Sequence, residues 1–357
     1  MTIKKTILSD NERKPLFEDP LKLGFGQTYT DHMFTLEYEA DKGWYNPEIK
    51  PYQPLMLDPA AKVLHYGQEI FEGQKAYKSP SGEILTFRPR ENAKRFLSSL
   101  KRMCMAELDP DEFLFYENEL IKVEERWIPD VKGTSLYIRP TAIATEAGLG
   151  VKAATKYLFF IILSPVGAYF KEGFNPVGLW VSDEFSRAAE GGTGAAKAGG
   201  NYAGSLFASK EANENGYSQV LWLDAKEHKY IEEVGAMNIL FVIDNKLVTA
   251  PLGGTILPGI TRKSVLELAK DLGIEPVERQ ISIDEVTKGI ESGKVTEIFG
   301  AGTAAVISPV GKLNYKGKEY VVNNNKTGPW SQKFFDTLTG IQYGELEDKH
   351  NWVYRVK

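Results

Sequence analysis

From residue 33 to residue 90 apolar and polar positions alternate in short runs, broken at Asp41-Lys42-Gly43, Asn46-Pro47 and Ser79-Pro80-Ser81-Gly82. A period of two closed by Gly, Pro and Asn predicts strands and hairpins there. The period then lengthens. ENAKRFLSSLKRM places Phe96, Leu100 and Met103 on one helical face. A second helix is predicted after Asp109, its cap, with Pro110 in the first position and Glu112 third after the cap. SLYIRPTAIATE and KYLFFIILSP follow, rich in β-branched and aromatic residues, and predict strands.

PVGAYFKEGFNPVG then punctuates the chain with Pro and Gly, as an interdomain connection does. The pattern divides the chain into a first domain, 1–170, a connection, 171–176, and a second domain, 177–357. In the second, VGLWVSDEF predicts a strand and NYAGSLFASKEANENG a helix stopped at Asn215-Gly216. SQVLWLDAKEHKYIEEV and MNILFVIDNKLVTA predict hairpins, the latter turning at Asp244-Asn245. TRKSVLELAKDLG predicts an amphipathic helix ended by Gly273. No internal repeat is present. Frequent hairpins mean antiparallel pairing, so the expected class is mixed α+β rather than a doubly wound parallel sheet.

Composition narrows the function classes. The chain has 357 residues, 42% hydrophobic and 25% charged, which suits folded domains rather than disorder. Net charge is -5 with no basic block, which weighs against nucleic acid. The single cysteine, Cys104, can form neither an internal disulfide nor a cysteine-based zinc site, and a buried structural thiol is expected. The N-terminal twenty residues mix both charges and lack the apolar core of a signal peptide, and YLFFIIL is too short to cross a bilayer. A cytoplasmic, membrane-free protein is expected.

Several short motifs fail on context. GAGTAA at 300–305 matches a dinucleotide fingerprint, but VISPV follows where a helix is required. GTILPGIT at 254–261 has the glycine spacing of a phosphate-binding loop without its Lys-Ser/Thr. Both still present turn amides that can meet phosphate or carboxylate oxygens, with plain turns as the alternative. His32, His65, His228 and His350 have no metal-binding spacing and G-x-S-x-G is absent, so neither a metal site nor a hydrolase elbow is expected.

GGTGAAKAGGNYAGS, residues 191–205, surrounds Lys197 with six glycines and four alanines. Residues so small admit close approach of backbone or of a flat ligand and supply no carboxylate to hold the amine protonated. A lysine of lowered pKa condenses with aldehydes to form a Schiff base, and pyridoxal phosphate is the obvious aldehyde. Its ring nitrogen needs an acid, its phosphate an Arg and turn amides, and its phenolic oxygen a hydroxyl. Glu233, at a strand end before Val234-Gly235-Ala236, suits the first. Tyr202 suits the last, with an ordinary core position as its alternative.

AKAGGNYAGS, QVLWLD, YIEEVGAMNI, LPGITR and FGAGTAAVISPVG, with FGQTYTDHM, LHYGQEIFEGQKAY, FRPRENAKR and SLYIRP, together resemble the branched-chain amino acid aminotransferases. These are fold-type IV enzymes dependent on pyridoxal 5′-phosphate. The resemblance runs in order from about Leu23 to about His350. It implies a small N-terminal α/β domain and a larger C-terminal pseudo-barrel domain carrying the lysine. Lys197 matches the lysine that binds the cofactor, Tyr202 the phenolate partner and Glu233 the pyridine-nitrogen partner. Arg95, the amides of Ile260 and Thr261, and Thr303 match the phosphate site. Thr303 and Ala304, after Gly302, match the turn that receives the substrate α-carboxylate. Phe25, Tyr66, Phe71, Tyr137 and Tyr169 match an aromatic side-chain pocket, and Arg139 the group that accepts the distal carboxylate of glutamate.

The resemblance further implies a homodimer in which Leu149 and Val151 reach the neighbouring subunit's pocket. The implied reaction moves the amino group of L-leucine, L-isoleucine or L-valine to 2-oxoglutarate, in ping-pong fashion. Small molecules, not macromolecules, are the expected partners. Two departures stand out. Ala305-Val306-Ile307-Ser308 replaces the C-x-x-C pair of the mammalian mitochondrial members, and Ala236 stands where those members carry threonine. Chain start and composition suit a bacterial cytosolic enzyme. The alternatives are a D-amino acid transaminase or aminodeoxychorismate lyase of the same fold, and a non-catalytic binder of phosphate ligands.

Overall fold

A computed structural model describes residues 2–167 and 174–357. Tyr169 and positions 171–173 of the expected connection lie outside the described residues. The chain divides into two compact units, one made of Met1–Tyr169, Ala196–Gly199 and Gly340–Lys357, the other of Phe170–Ala195 and Gly200–Thr339. This differs from the expected boundaries in two places, and the first unit becomes the longer. The C-terminal strand Val353–Arg355 pairs with Ile84–Phe87, and the backbone of Lys197 bonds to Phe71 and Ser99, so both segments join the first unit.

The first unit is built on a nine-stranded sheet. Its path runs Lys4–Lys5, Gly43–Pro51, His32–Glu39, Lys156–Val166, Ser135–Ala144, Gln74–Lys78, Ile84–Phe87, Val353–Arg355, with Glu69–Phe71 pairing beside Ser135–Ala144. Every pairing but that of Lys4–Lys5 is antiparallel, as the alternating pattern requires. The helices Pro89–Arg102 and Pro110–Val123 bury Phe96, Leu100, Phe113 and Leu120 against Phe34, Phe159 and Ile161. Asp109 caps the second, accepting the N–H groups of Asp111 and Glu112. Cys104 overturns one expectation: it is exposed, because the turn after the first helix puts it at φ 52, outside the core.

The second unit holds a sheet that closes on itself. Strands Ile231–Val234, Gln219–Leu223, Val177–Ser182, Val306–Tyr315, Val295–Gly302 and Met237–Ile243 pair in that order. Pairing of Glu233 with Asn238 and of Val234 with Met237 then joins the last strand to the first. The result is a six-stranded barrel, with Lys246–Thr249 and Glu275–Glu278 extending one side. Leu179, Leu221, Ile239, Phe241, Ile298 and Leu313 share its core. Asp244 and Asn245 both take positive φ, 48 and 59, in the expected hairpin turn.

GAGTAA lies at a strand-to-strand connection, Val295–Gly302 to Val306–Tyr315, with no helix behind it. The helix expected over 201–216 is broken into Gly199–Ala203 and Leu206–Glu214. At the break the Ser205 hydroxyl donates to the Tyr202 carbonyl, next to Gly204. Among the described residues no helix is long and apolar enough to cross a membrane.

Candidate active site

The glycines around Lys197 answer to close approaches. A Cβ on Gly194 would stand 2.3 Å from the carbonyl oxygen of Thr255, and one on Gly199 would stand 1.9 Å from a Glu69 carboxyl oxygen. The lysine is held through its backbone: its N–H donates to the Ser99 hydroxyl at 3.0 Å, and its carbonyl accepts the N–H of Phe71 at 3.0 Å. Nζ lies 4.9 Å from the centre of the Phe71 ring.

That backbone link brings an acid into play, against the expectation that the amine has none nearby. Glu72, next to Phe71, is fully buried, and the charge of Lys197 acts on it. Its main partner is Arg95, which donates from Nε at 2.7 Å and from an Nη at 2.9 Å. Asn92 donates to it at 2.9 Å. Burial works to raise the Glu72 carboxyl, but Arg95, Lys197 and Asn92 outweigh it and hold the group below its ordinary value. Behind it Glu117, also buried, accepts from Gln74 at 2.6 Å. Burial and the Glu72 charge push Glu117 well above the ordinary range.

On the same unit, the Phe25 ring meets Tyr137 edge-on at 4.8 Å. Arg139 donates to the Tyr137 hydroxyl at 3.0 Å, and its guanidinium lies 4.6 Å from the Phe71 ring centre. A Cβ on Gly73 would stand 2.1 Å from the Tyr137 hydroxyl, so glycine there lets that ring lie down. Lys75, opposite Tyr137 in the sheet, is brought down to about 8 by burial. The structure therefore unites Phe25, Phe71, Tyr137 and Arg139. Tyr66 is exposed, and its hydroxyl donates to the carbonyl of Leu149. Leu149 is 65% and Val151 86% exposed.

In the second unit Glu233 is buried at a barrel strand end and ion-paired with Arg187, whose side chain is 7% exposed. Arg187 also donates to the carbonyls of Thr255 and Gly194 at 2.7 and 3.1 Å. Glu233 accepts from Asn238 at 3.1 Å and from the Leu257 N–H at 3.0 Å, and Asn238 donates on to the Leu257 carbonyl at 2.9 Å. These bonds tie the acid to the loop entering helix Ile260–Asp271. That helix begins at Gly259 with no side-chain cap, and a Cβ on Gly259 would stand 1.8 Å from Asn238. The amides of Ile260 and Thr261 thus start a twelve-residue helix that no side chain closes.

Thr303 and Ala304 form the turn between two barrel strands, and Met237 packs over Gly300 and Gly302 where any Cβ would collide. The turn ends at Val306 with φ 62, a strained setting for a β-branched residue that costs about 1–3 kcal/mol. Ala236 is exposed in the turn between Val234 and Met237. Tyr202 is half-buried on the short helix Gly199–Ala203.

Residues 69–313 match the family model described as amino-transferase class IV. A branched-chain-amino-acid aminotransferase 2 of Bacillus subtilis is 52% identical over 99% of this chain and 97% of its own. The chain belongs to the branched-chain amino acid aminotransferases, within class IV. The fold agrees. A branched-chain amino acid aminotransferase of Escherichia coli superposes with a TM-score of 0.78 at 30% identity, over 92% of this chain and 99% of its own. A T.th. branched-chain amino acid aminotransferase complexed with N-(5′-phosphopyridoxyl)-L-glutamate gives 0.74 at 25% identity, over 94% of this chain and 100% of its own.

For a class IV aminotransferase the donor set is chemically apt: one lysine, a buried acid already paired with a cation, a buried arginine and an uncapped helix start. Arg187 and Glu72 do not stand out in the sequence. A lone Arg ten residues before Lys197 in a stretch of small residues is the only local sign of the first. The Phe-Glu-Gly step beside a strand is the only sign of the second.

Proposed function

We propose that this chain transfers the amino group of L-leucine, L-isoleucine or L-valine to 2-oxoglutarate with pyridoxal 5′-phosphate as cofactor. One observation carries the reading: 52% identity, over nearly the whole of both chains, to a branched-chain-amino-acid aminotransferase. Relatives at that level bear this name rather than that of a D-amino acid transaminase or aminodeoxychorismate lyase.

When bound, pyridoxal 5′-phosphate supplies an aldehyde for the amino group and a protonated ring that draws electrons from the substrate Cα. Lys197 would hold the cofactor, and its amine would take the Cα proton and return it as acid. Glu233 would hold the ring nitrogen, and its pairing with Arg187 favours the carboxylate form that this role needs. Tyr202 meets the phenolic oxygen. Arg95, the Ile260 and Thr261 amides and Thr303 hold the phosphate, which a helix start favours.

Thr303 and Ala304 receive the α-carboxylate. Phe25, Tyr66, Phe71, Tyr137 and Tyr169 would bury the branched side chain, Ala236 is a further substrate contact, and Arg139 takes the distal carboxylate of glutamate. A cytoplasmic homodimer completes the reading. In it Leu149, whose carbonyl accepts the Tyr66 hydroxyl, and Val151 enter the neighbour's pocket.

Purified protein should absorb in the visible and shift its spectrum on addition of L-leucine. Hydride reduction followed by digestion should leave the cofactor on the peptide containing Lys197, and Lys197→Ala should abolish turnover. Label on another peptide, or full activity in that variant, refutes the assignment. Preference for D-alanine or aminodeoxychorismate over L-leucine refutes the substrate.

A further inference from the structure

Three buried titratable groups of the first unit have no part in the chemistry above. Asp31, His32 and Glu124 are exposed by only 2%, 1% and 1%. His32 Nδ1 faces a carboxyl oxygen of Glu124, and the other Glu124 oxygen accepts the N–H of Asp31 at 3.0 Å. The N–H of Leu8 donates to His32 Nε2 at 2.9 Å, so that nitrogen is the acceptor and Nδ1 carries the proton. Asp31 accepts the N–H of Lys14 at 2.8 Å through one oxygen and the indole N–H of Trp127 at 2.9 Å through the other, with Arg126 Nε at 3.3 Å. A cluster of this kind is costly to bury, and geometric specificity is one use for it.

Its backbone partners lie on one segment. Leu8 and Lys14 enter an N-terminal arm that returns through Thr30, whose N–H donates to the Leu163 carbonyl at 3.1 Å. Between them the Lys14 ammonium donates to the carbonyls of Tyr29 and Thr30 at 3.1 and 2.9 Å, closing the arm at its base. The turn Pro20–Lys22 sits over Gly167, where a Cβ would stand 2.7 Å from the Leu23 carbonyl. Phe25 follows that turn and meets Tyr137 at 4.8 Å. We propose that Asp31, His32 and Glu124 form a latch that clamps residues 8–30 and so holds Phe25 against Tyr137, setting substrate affinity without touching substrate.

The latch rests on the reading of Phe25 as pocket wall. It makes the three groups positioning residues, with an effect on KM rather than on kcat. In Asp31→Asn the amide nitrogen avoids the oxygen position where Trp127 and Arg126 both donate, so it faces the Lys14 N–H and that arm contact is lost. In the holoenzyme this variant should raise the KM for L-leucine about three- to tenfold, the worth of one aromatic contact, with kcat and cofactor absorbance unchanged. Phe25→Ala should raise KM similarly, and the double variant no further, because both act through one ring. Leu8→Pro, which removes the N–H that His32 accepts together with the leucine side chain, lies outside the core and should move KM the same way. Trypsin should cut after Lys22 faster in Asp31→Asn than in wild type. Fold-changes that multiply in the double variant, or an unchanged KM in both Asp31→Asn and Leu8→Pro, overturn the latch. Wild-type protein inactive on L-leucine would instead fail the functional reading, and the protease rate would still report whether Asp31 clamps the arm.

Discussion

Glu72→Gln isolates the charge relation on which the phosphate assignment of Arg95 depends. The pair is almost dry, 8% and 0% exposed, and closes through bonds of 2.7 and 2.9 Å. Removing one partner of such a pair leaves a guanidinium in a low-dielectric site, at a cost of about 3–5 kcal/mol. In cofactor-free protein that should lower the melting midpoint by roughly 6–10 °C, at ~2 °C per kcal/mol for a chain of this length. Two features alter the figure. Burial and, after it, the Glu72 charge raise Glu117, so in the variant it ionises more readily and restores part of the counter-charge. The Glu72→Gln/Glu117→Gln double variant removes that escape and should show the full loss.

Cofactor changes the balance again. If Arg95 receives the phosphate, a dianion replaces the lost carboxylate, so Glu72→Gln should cost much less in holoenzyme. The midpoint gain on adding pyridoxal 5′-phosphate should then exceed that of wild type, by linkage. Calorimetry of both proteins with and without cofactor measures all four states. Equal losses with and without cofactor would remove Arg95 from the phosphate site. A loss below about 1 kcal/mol without cofactor would refute the claim that the buried pair is integral to the unit.

Two other expectations follow from buried charges. Glu117 is raised above its ordinary value, so the native state keeps a proton that the unfolded chain releases; the stability it contributes is complete below the ordinary carboxylate range and is lost as pH rises through the folded value. Glu117→Gln cannot titrate, so it should gain on wild type as pH rises above the ordinary carboxylate range, and urea midpoints that stay parallel over that rise refute this. Arg187→Met leaves Glu233 buried without its cation and favours the protonated acid, so kcat should fall about tenfold or more while the protein still binds cofactor. An unchanged kcat would show that Glu233 needs no such partner.

The barrel was legible where local chemistry dictates it. Asp244-Asn245 between apolar runs demands a tight hairpin, and Asp109-Pro110 announces a helix because both act within one turn of chain. The break at Gly204-Ser205 was hidden, since Ala, Leu and Glu nearby all favour helix and what marks it is a glycine and a serine hydroxyl turned on the Tyr202 carbonyl. The exposure of Cys104 was hidden for a related reason: its left-handed φ follows from how one helix ends, not from the thiol.

At the site, the sequence exposes residues whose surroundings are locally odd and conceals those whose partners are distant. Lys197 stands out because six glycines crowd it, and the structure gives those at 194 and 199 a cause in the Thr255 carbonyl and the Glu69 carboxyl. Glu72 and Arg187 look ordinary because their meaning lies in Arg95 and Glu233, which are 23 and 46 positions away in the chain. Asp31, His32 and Glu124 are hidden in the same way: a histidine among hydrophobic strand residues reads as core until its two nitrogens are traced to Leu8 and Glu124. Residue type thus announces the group that performs chemistry, while the groups that fix its charge and place emerge only when burial removes water as their alternative partner.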